Sequence, residues 1–120
     1  FVYLGSASGL ATTAARSLTG PDGVGGDFGY AVAGAGDVNG DGNGDIVVGA
    51  FNAGGTGKAY VYVGSATGIG AAAATTLTGP DGAAGWFGES VAGAEDLHID
   101  GAVYATFTAS PRALRPPPTG

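Results

Sequence analysis

The stretch Phe1–Gly42 aligns without gaps on Tyr60–Gly101 at a constant offset, and 24 of the 42 aligned pairs are identical. The shared blocks are Val-Tyr-x-Gly-Ser-Ala (2–7 and 61–66), Leu-Thr-Gly-Pro-Asp-Gly (18–23 and 77–82) and Phe-Gly-x-x-Val-Ala-Gly-Ala (28–35 and 87–94). A correspondence this long is not chance. It means a structural unit, running from each residue to its equivalent in the next copy, that stacks beside copies of itself and buries its core against them.

Within the unit the sequence predicts four short strands. Strand A, Tyr30–Val38, is rich in small residues (Ala31, Ala33, Gly34, Ala35), which implies close packing against neighbours. Strand B, Asp45–Phe51, carries the β-branched run Ile46-Val47-Val48. Strand C, Lys58–Val63, alternates Ala59, Val61 and Val63 with Tyr60 and Tyr62, as a two-faced strand should. Strand D is Arg16–Thr19 and its copy Thr75–Thr78. Gly-Pro-Asp-Gly is turn chemistry, because Pro fixes φ and Gly accepts φ > 0. With 26 Gly and 6 Pro, the composition alone resembles a low-complexity chain. The glycines recur at fixed positions beside β-branched and aromatic residues, however, which is the pattern of an all-β protein with many tight turns. Four antiparallel strands in a unit of this length fit a β-propeller blade, and the chain holds about two of them.

Charge narrows the partners. The formal net charge is −6, with only four basic residues, so no basic stripe is available for phosphates and nucleic-acid binding is excluded. An acidic surface suits a divalent cation or a basic partner. There is no Cys, hence no disulfide and no thiolate metal site. No apolar run approaches the roughly 18 residues of a membrane span. The chain opens directly on strand-like Phe1-Val2-Tyr3-Leu4 without a signal peptide, as expected of a piece of something longer.

The most chemical segment is Asp37-Val38-Asn39-Gly40-Asp41-Gly42-Asn43-Gly44-Asp45. Asp37, Asn39, Asp41 and Asp45 fall at loop positions 1, 3, 5 and 9, with Gly42 at 6 to permit a sharp bend. The Asn43 carbonyl at position 7 is the natural further ligand. Hard oxygen donors in this number suit Ca²⁺ better than Mg²⁺ or a transition metal. An EF-hand would place its bidentate Glu at position 12, where Val48 stands, and would flank the loop with helices rather than strand-like runs. A solvated turn that binds nothing would leave three Asp within nine residues repelling one another. In the second repeat Asp96, His98 and Asp100 hold positions 1, 3 and 5, but position 9 is Tyr104, so that copy reads as a broken site.

Phe28-Gly29, then Val32-Ala33-Gly34-Ala35-Gly36-Asp37-Val38-Asn39-Gly40-Asp41-Gly42 and Asp45-Ile46-Val47-Val48-Gly49-Ala50, resemble the FG-GAP repeat. That repeat builds the β-propeller of integrin α subunits and of many bacterial surface or secreted proteins. The likeness covers about 1–101 and is specific in 28–65. Phe51 stands where the family usually has Pro, and the second repeat loses the B-strand motif. The resemblance implies that Asp37, Asn39, Asp41, Asn43 and Asp45 coordinate Ca²⁺ on the lower face of the propeller. It also implies ligand binding on the opposite face through the D–A and B–C connections, 19–27, 52–57 and 78–86. Asp22, Asp27, Asp81 and Trp86 are the candidates there, with Trp86 serving either to stack on a ligand or to pack on a neighbouring blade. An extracellular or cell-surface location goes with the resemblance.

Other constellations are weak. Ala53-Gly54-Gly55-Thr56-Gly57-Lys58 resembles a phosphate loop only faintly, since Asn52 and Ala59 break the pattern, and reads as the B–C turn. No nucleophile elbow, Cys nucleophile or His triad is present, and Glu89 and Glu95 show no sign of a paired acid and base. The expectation is a non-enzymatic module.

The order along the chain is strands C and D of an incomplete blade (1–27), a complete blade with the loop (28–86), the start of a further, degenerate blade (87–110), and a Pro-rich disordered tail (111–120). Val103–Thr108 alternates well enough to substitute for strand B. Two blades cannot close a ring, and open sheet edges need cover. Head-to-tail assembly of a homo-oligomer is therefore expected, with six blades from three chains or eight from four. The function this supports is a calcium-binding FG-GAP propeller fragment acting as a structural, adhesion or protein-interaction module. The alternative is a lectin-like module that holds glycans with its D–A loops.

Overall fold

Strands B and C carry apolar residues on both faces, so each needs a hydrogen-bonded neighbour along both edges and cover on both sides. The computed structural model, which describes residues 1–82, 85–94 and 104–108, meets both needs. Among the described residues the strands are, in order, β1 (Gly5–Ser6), β2 (Gly9–Leu10), β3 (Ala31–Gly36), β4 (Asp45–Ala50), β5 (Lys58–Tyr62), β6 (Gly64–Ser65), β7 (Gly68–Ile69), β8 (Thr75–Thr78), β9 (Ser90–Ala94) and β10 (Tyr104–Thr108). A short 3₁₀ turn lies at Ala53–Gly55. The class is all-β, as expected.

The four strands anticipated for one unit form one antiparallel sheet in the order β3-β4-β5-β8. Val47 of β4 lies opposite Ala33 on one side and Val61 on the other, and Val61 in turn faces Thr75. A register shift between Gly34 and Gly36 bends the end of β3 just before the Asp-rich loop. A two-residue hairpin, β6–β7, is inserted between β5 and β8. Its turn is held by Ser65, whose Oγ accepts the Thr67 N–H at 3.2 Å and donates to the Gly68 carbonyl at 3.0 Å. The β1–β2 hairpin repeats this device with Ser6, Ser8 and Gly9.

The alternation of β4 and β5 divides the core in two. On one face Val48, Ala50, Ala53, Tyr60 and Tyr62 are buried, with Leu18, Phe28 and Ile46 packed against them. Phe28 meets the rings of Tyr60 and Tyr62 at 5.6 and 6.2 Å. On the other face Ala35, Val47, Ala59 and Val61 are buried beneath Leu77, Phe87 and Val91. Burying each tyrosine or branched aliphatic side chain contributes about 1.5–3 kcal/mol, so the two faces together hold the sheet.

The N-terminal segment repeats the C–D part of the unit in thinner form. Strand D at Arg16–Thr19 does not form as a strand; a single bridge joins Val2 to Arg16, with the Val2 N–H on the Arg16 carbonyl at 2.8 Å. That bridge sits in the register of Val61 opposite Thr75, the equivalent pair of the next repeat. Beyond the complete sheet, β9 pairs antiparallel with β10. Val91 faces Phe107 and Ala92 faces Thr106, which are the repeat equivalents of the Val32–Val48 and Ala33–Val47 pairs. The strand expected at Val103–Thr108 therefore forms, as Tyr104–Thr108, at the place of strand B, although sequence identity has ended. Antiparallel blades of this kind are consistent with a β-propeller. The second Asp-rich loop (Asp96, His98, Asp100) and the tail 111–120 lie outside the described residues.

Candidate metal loop and ligand face

The loop 37–44 leaves β3 and returns into β4, and its backbone is folded over its own acidic side chains. Asp37 Oδ2 accepts the Gly42 N–H at 2.7 Å and Oδ1 accepts that of Asp41 at 3.1 Å. Asp41 Oδ1 accepts the Asn43 N–H at 2.9 Å, and its Oδ2 accepts from Asn39 Nδ2 at 3.3 Å. These bonds, with that from the Asn43 backbone foremost, hold the Asp41 carboxyl below its ordinary range. Gly40 and Gly42 have φ of 72° and 86°, the left-handed turns such a coil needs and only glycine adopts freely.

Asp45 behaves differently from the rest. It is 2% exposed. Its Oδ2 accepts the Val38 N–H at 2.7 Å and its Oδ1 accepts the Gly64 N–H at 2.8 Å. One carboxylate thus ties the start of the loop, the start of β4 and the start of β6 together. The five sequence-predicted residues share one loop, but Asp37, Asn39, Asp41 and Asn43 form its outer coil while Asp45 is the anchor beneath it. Among the described residues no three Asp, Glu or His side chains converge on one point. By kind, the donors fit a hard cation: all are oxygens, and each carboxylate oxygen keeps a lone pair beyond the N–H it accepts.

The opposite ends of the strands carry the D–A and B–C turns, which are tied to each other. Asp22 accepts from Lys58 Nζ at 3.1 Å and from the Tyr60 hydroxyl. Asp27 accepts from Asn52 Nδ2 at 2.5 Å, and the Asn52 N–H reaches the Gly26 carbonyl at 3.2 Å. Lys58 of the faint phosphate-loop pattern is therefore an ion-pair partner of Asp22, and the pattern itself is the 3₁₀ turn. Asp81 lies exposed on the second D–A turn. Trp86 packs on Phe51, ring centroids 5.6 Å apart, and Phe51 meets Tyr30 edge-on at 4.6 Å. Asp27 and Trp86, equivalent in the repeat, share a left-handed backbone at φ 57° and 50°.

Sequence reasoning missed Tyr30, Lys58 and Tyr60 on this face, and held Asn52 only as part of the B–C connection 52–57. The D–A and B–C connections and Asp22, Asp27 and Trp86 were anticipated on this face, but not the residues that Asp22 and Trp86 meet there.

A four-stranded antiparallel sheet with an Asp-rich loop between its first two strands, carrying buried core on both faces, is consistent with a β-propeller blade. The family model for the FG-GAP repeat matches residues 28–62, the stretch from the Phe-Gly opening through strand C. No curated protein matches the chain. Among the described residues no helix is long and apolar enough to cross a membrane.

Proposed function

We propose that this chain is a calcium-stabilised, integrin-like FG-GAP propeller module, extracellular and non-enzymatic, that serves adhesion or protein interaction. The observation that carries it is the coil of Asp37, Asn39, Asp41 and Asn43 wound over a loop anchored by Asp45, inside the matched repeat. Bound Ca²⁺ would supply the positive charge that offsets three clustered carboxylates. Asp37, Asn39, Asp41 and the Asn43 carbonyl would hold it from the outer coil, with Asp45 beneath. The ring such a module needs would be completed by copies meeting head to tail, three or four to a ring. Calorimetric titration with Ca²⁺ tests the metal: saturable binding near one ion per chain and a higher Tm are expected. A Tm indifferent to both Ca²⁺ and EDTA overturns the reading.

A second reading is favoured by the row Tyr30–Phe51–Trp86 beside the Asp27–Asn52 pair. Aromatic faces next to an amide and a carboxylate suit the apolar face and hydroxyls of a sugar. Glycan-array binding lost in Trp86→Ala supports it; no binding to any glycan sinks it.

A further inference from the structure

The repeat allows each residue of the complete blade to be compared with its equivalent in the preceding copy, and the comparison exposes a missing neighbour. Tyr60 and Tyr62 are each 1% exposed, whereas their equivalents Phe1 and Tyr3 are 86% and 44% exposed. Val91 packs onto the buried cluster of Ala35, Val47 and Val61, whereas its equivalent Val32 is 67% exposed. The glycines agree. A Cβ on Gly93 would run into the backbone of Gly34 and Ala35, one on Gly88 into Lys58 and Ala50, and one on Gly64 into Gly44. At the equivalent Gly34, Gly29 and Gly5 nothing lies within 4 Å. Residues built for close contact in one repeat face open space in the other.

The open space is one groove of about 620 Å³, lined by Phe1, Tyr3, Phe28, Val32, Gly34 and Val48 among others. Contiguous exposed apolar surface of this kind marks an interaction site. Its missing occupant is defined by the contacts it would make: strands A and B of a blade, laid against β3 and β4 and pairing along the free edge of Phe1–Leu4. The same chain carries such a half-blade. Among the described residues the sheet of β9 and β10 has only those two strands, and β10 stands at the place of strand B in the register of the repeat.

We infer that the groove is the seat of β9 and β10 of a second copy of this chain, which there complete a four-stranded blade with Phe1–Leu4 and Arg16–Thr19. This rests on the head-to-tail reading and supplies its surface and its register. In the complete blade Val47 faces Val61 and Val48 faces Tyr60. Carried across by the repeat, Thr106 of one copy lies opposite Val2 of the next, and Phe107 opposite Phe1. The blade–blade junction already present within the chain, Val91 and Gly93 seated on β3 and β4, is thereby repeated between chains by Val32 and Gly34.

The full chain tests this, and its lack of native Cys makes cross-linking clean. Directly opposed strand residues lie about 4.5–5.5 Å apart between Cα atoms, within disulfide reach, while a one-residue slip turns the side chains to opposite faces. The expected results are a trimer or tetramer by light scattering, and an intermolecular disulfide in the Val2→Cys, Thr106→Cys double variant. The Val2→Cys, Ala105→Cys variant should not link. Val32→Asp, at an exposed position, should give a monomer with unchanged β-sheet circular dichroism. An oligomer that ignores Val32→Asp and links in neither Cys variant overturns the interface while leaving head-to-tail assembly open to another surface. A monomeric wild-type chain overturns both, and assigns the groove to a half-blade from elsewhere. The calcium reading is judged separately, by its melting shift.

Discussion

Asp45 Oδ1 accepts the backbone N–H of Gly64 at 2.8 Å, a buried bond between residues 19 apart that fastens the end of strand C to the start of strand B. The partner oxygen takes the Val38 N–H at 2.7 Å. A carboxylate in the loop's ninth position is thus a strand clamp whatever else it does.

Asn at this position offers one oxygen acceptor and one NH₂ donor, so one of the two N–H groups loses its partner. Asp45→Asn should destabilise the fold by about 2–4 kcal/mol, from a lost charge-assisted bond and an unsatisfied buried donor. Because the clamp needs no metal, the loss should persist in EDTA. Chemical denaturation with and without chelator measures it; a loss seen only with Ca²⁺ present would make Asp45 a ligand and nothing more.

Asp41 gives the complementary case. It lies in the exposed coil, and its carboxylate bonds only within the loop. Asp41→Ala should lower the Tm of the Ca²⁺-saturated chain by several degrees and leave the EDTA-treated chain nearly unchanged. Equal losses in both conditions would show that Asp41 shapes the loop rather than holding an ion. Paired with Asp45→Asn, the two variants separate metal binding from strand clamping.

The four strands of the blade were legible to within one or two residues, since Ile46-Val47-Val48 and the alternation of 58–63 leave little choice. The β1–β2 and β6–β7 hairpins were not, because two-residue strands carry no period; their signal was the repeated Ser-x-Ser/Thr-Gly turn. Strand β10 holds its place with no repeat identity at all. Extended pairing needs only residues that tolerate a pleated strand, which Tyr104–Thr108 do. The loop was legible as a set of oxygens, but the division between coil and anchor was not, since only burial distinguishes Asp45 from Asp41. On the other face, Asp22–Tyr60 and Asp27–Asn52 join residues 38 and 25 apart, which no local pattern reveals.

Burial pushes the Tyr62 phenol above its ordinary value of 10.0. The unfolded chain therefore loses that proton first, so Tyr62 favours the fold fully below about pH 10 and progressively less as pH rises through the folded value. Stability measured by denaturation should fall as pH is raised past about 10, and Tyr62→Phe should lessen that fall. An alkaline decline that is identical in Tyr62→Phe would place its cause at another group.

Tyr104 stands where the repeat would put a second clamp, as the equivalent of Asp45, and Gly5 is likewise the equivalent of Gly64. In a blade completed between copies, the Gly5 N–H would thus lack the acid that Gly64 has. Tyr104→Asp should restore it and tighten association. A buried hydrogen bond to a carboxylate contributes about 1.5–3 kcal/mol, which corresponds to roughly ten- to hundredfold in the dissociation constant. Light scattering through a dilution series reads this as an oligomer persisting to lower concentration. The gain should vanish when Val32→Asp is added, because the groove can no longer seat the strands that carry residue 104. A gain that survives Val32→Asp would place residue 104 at some other contact between copies.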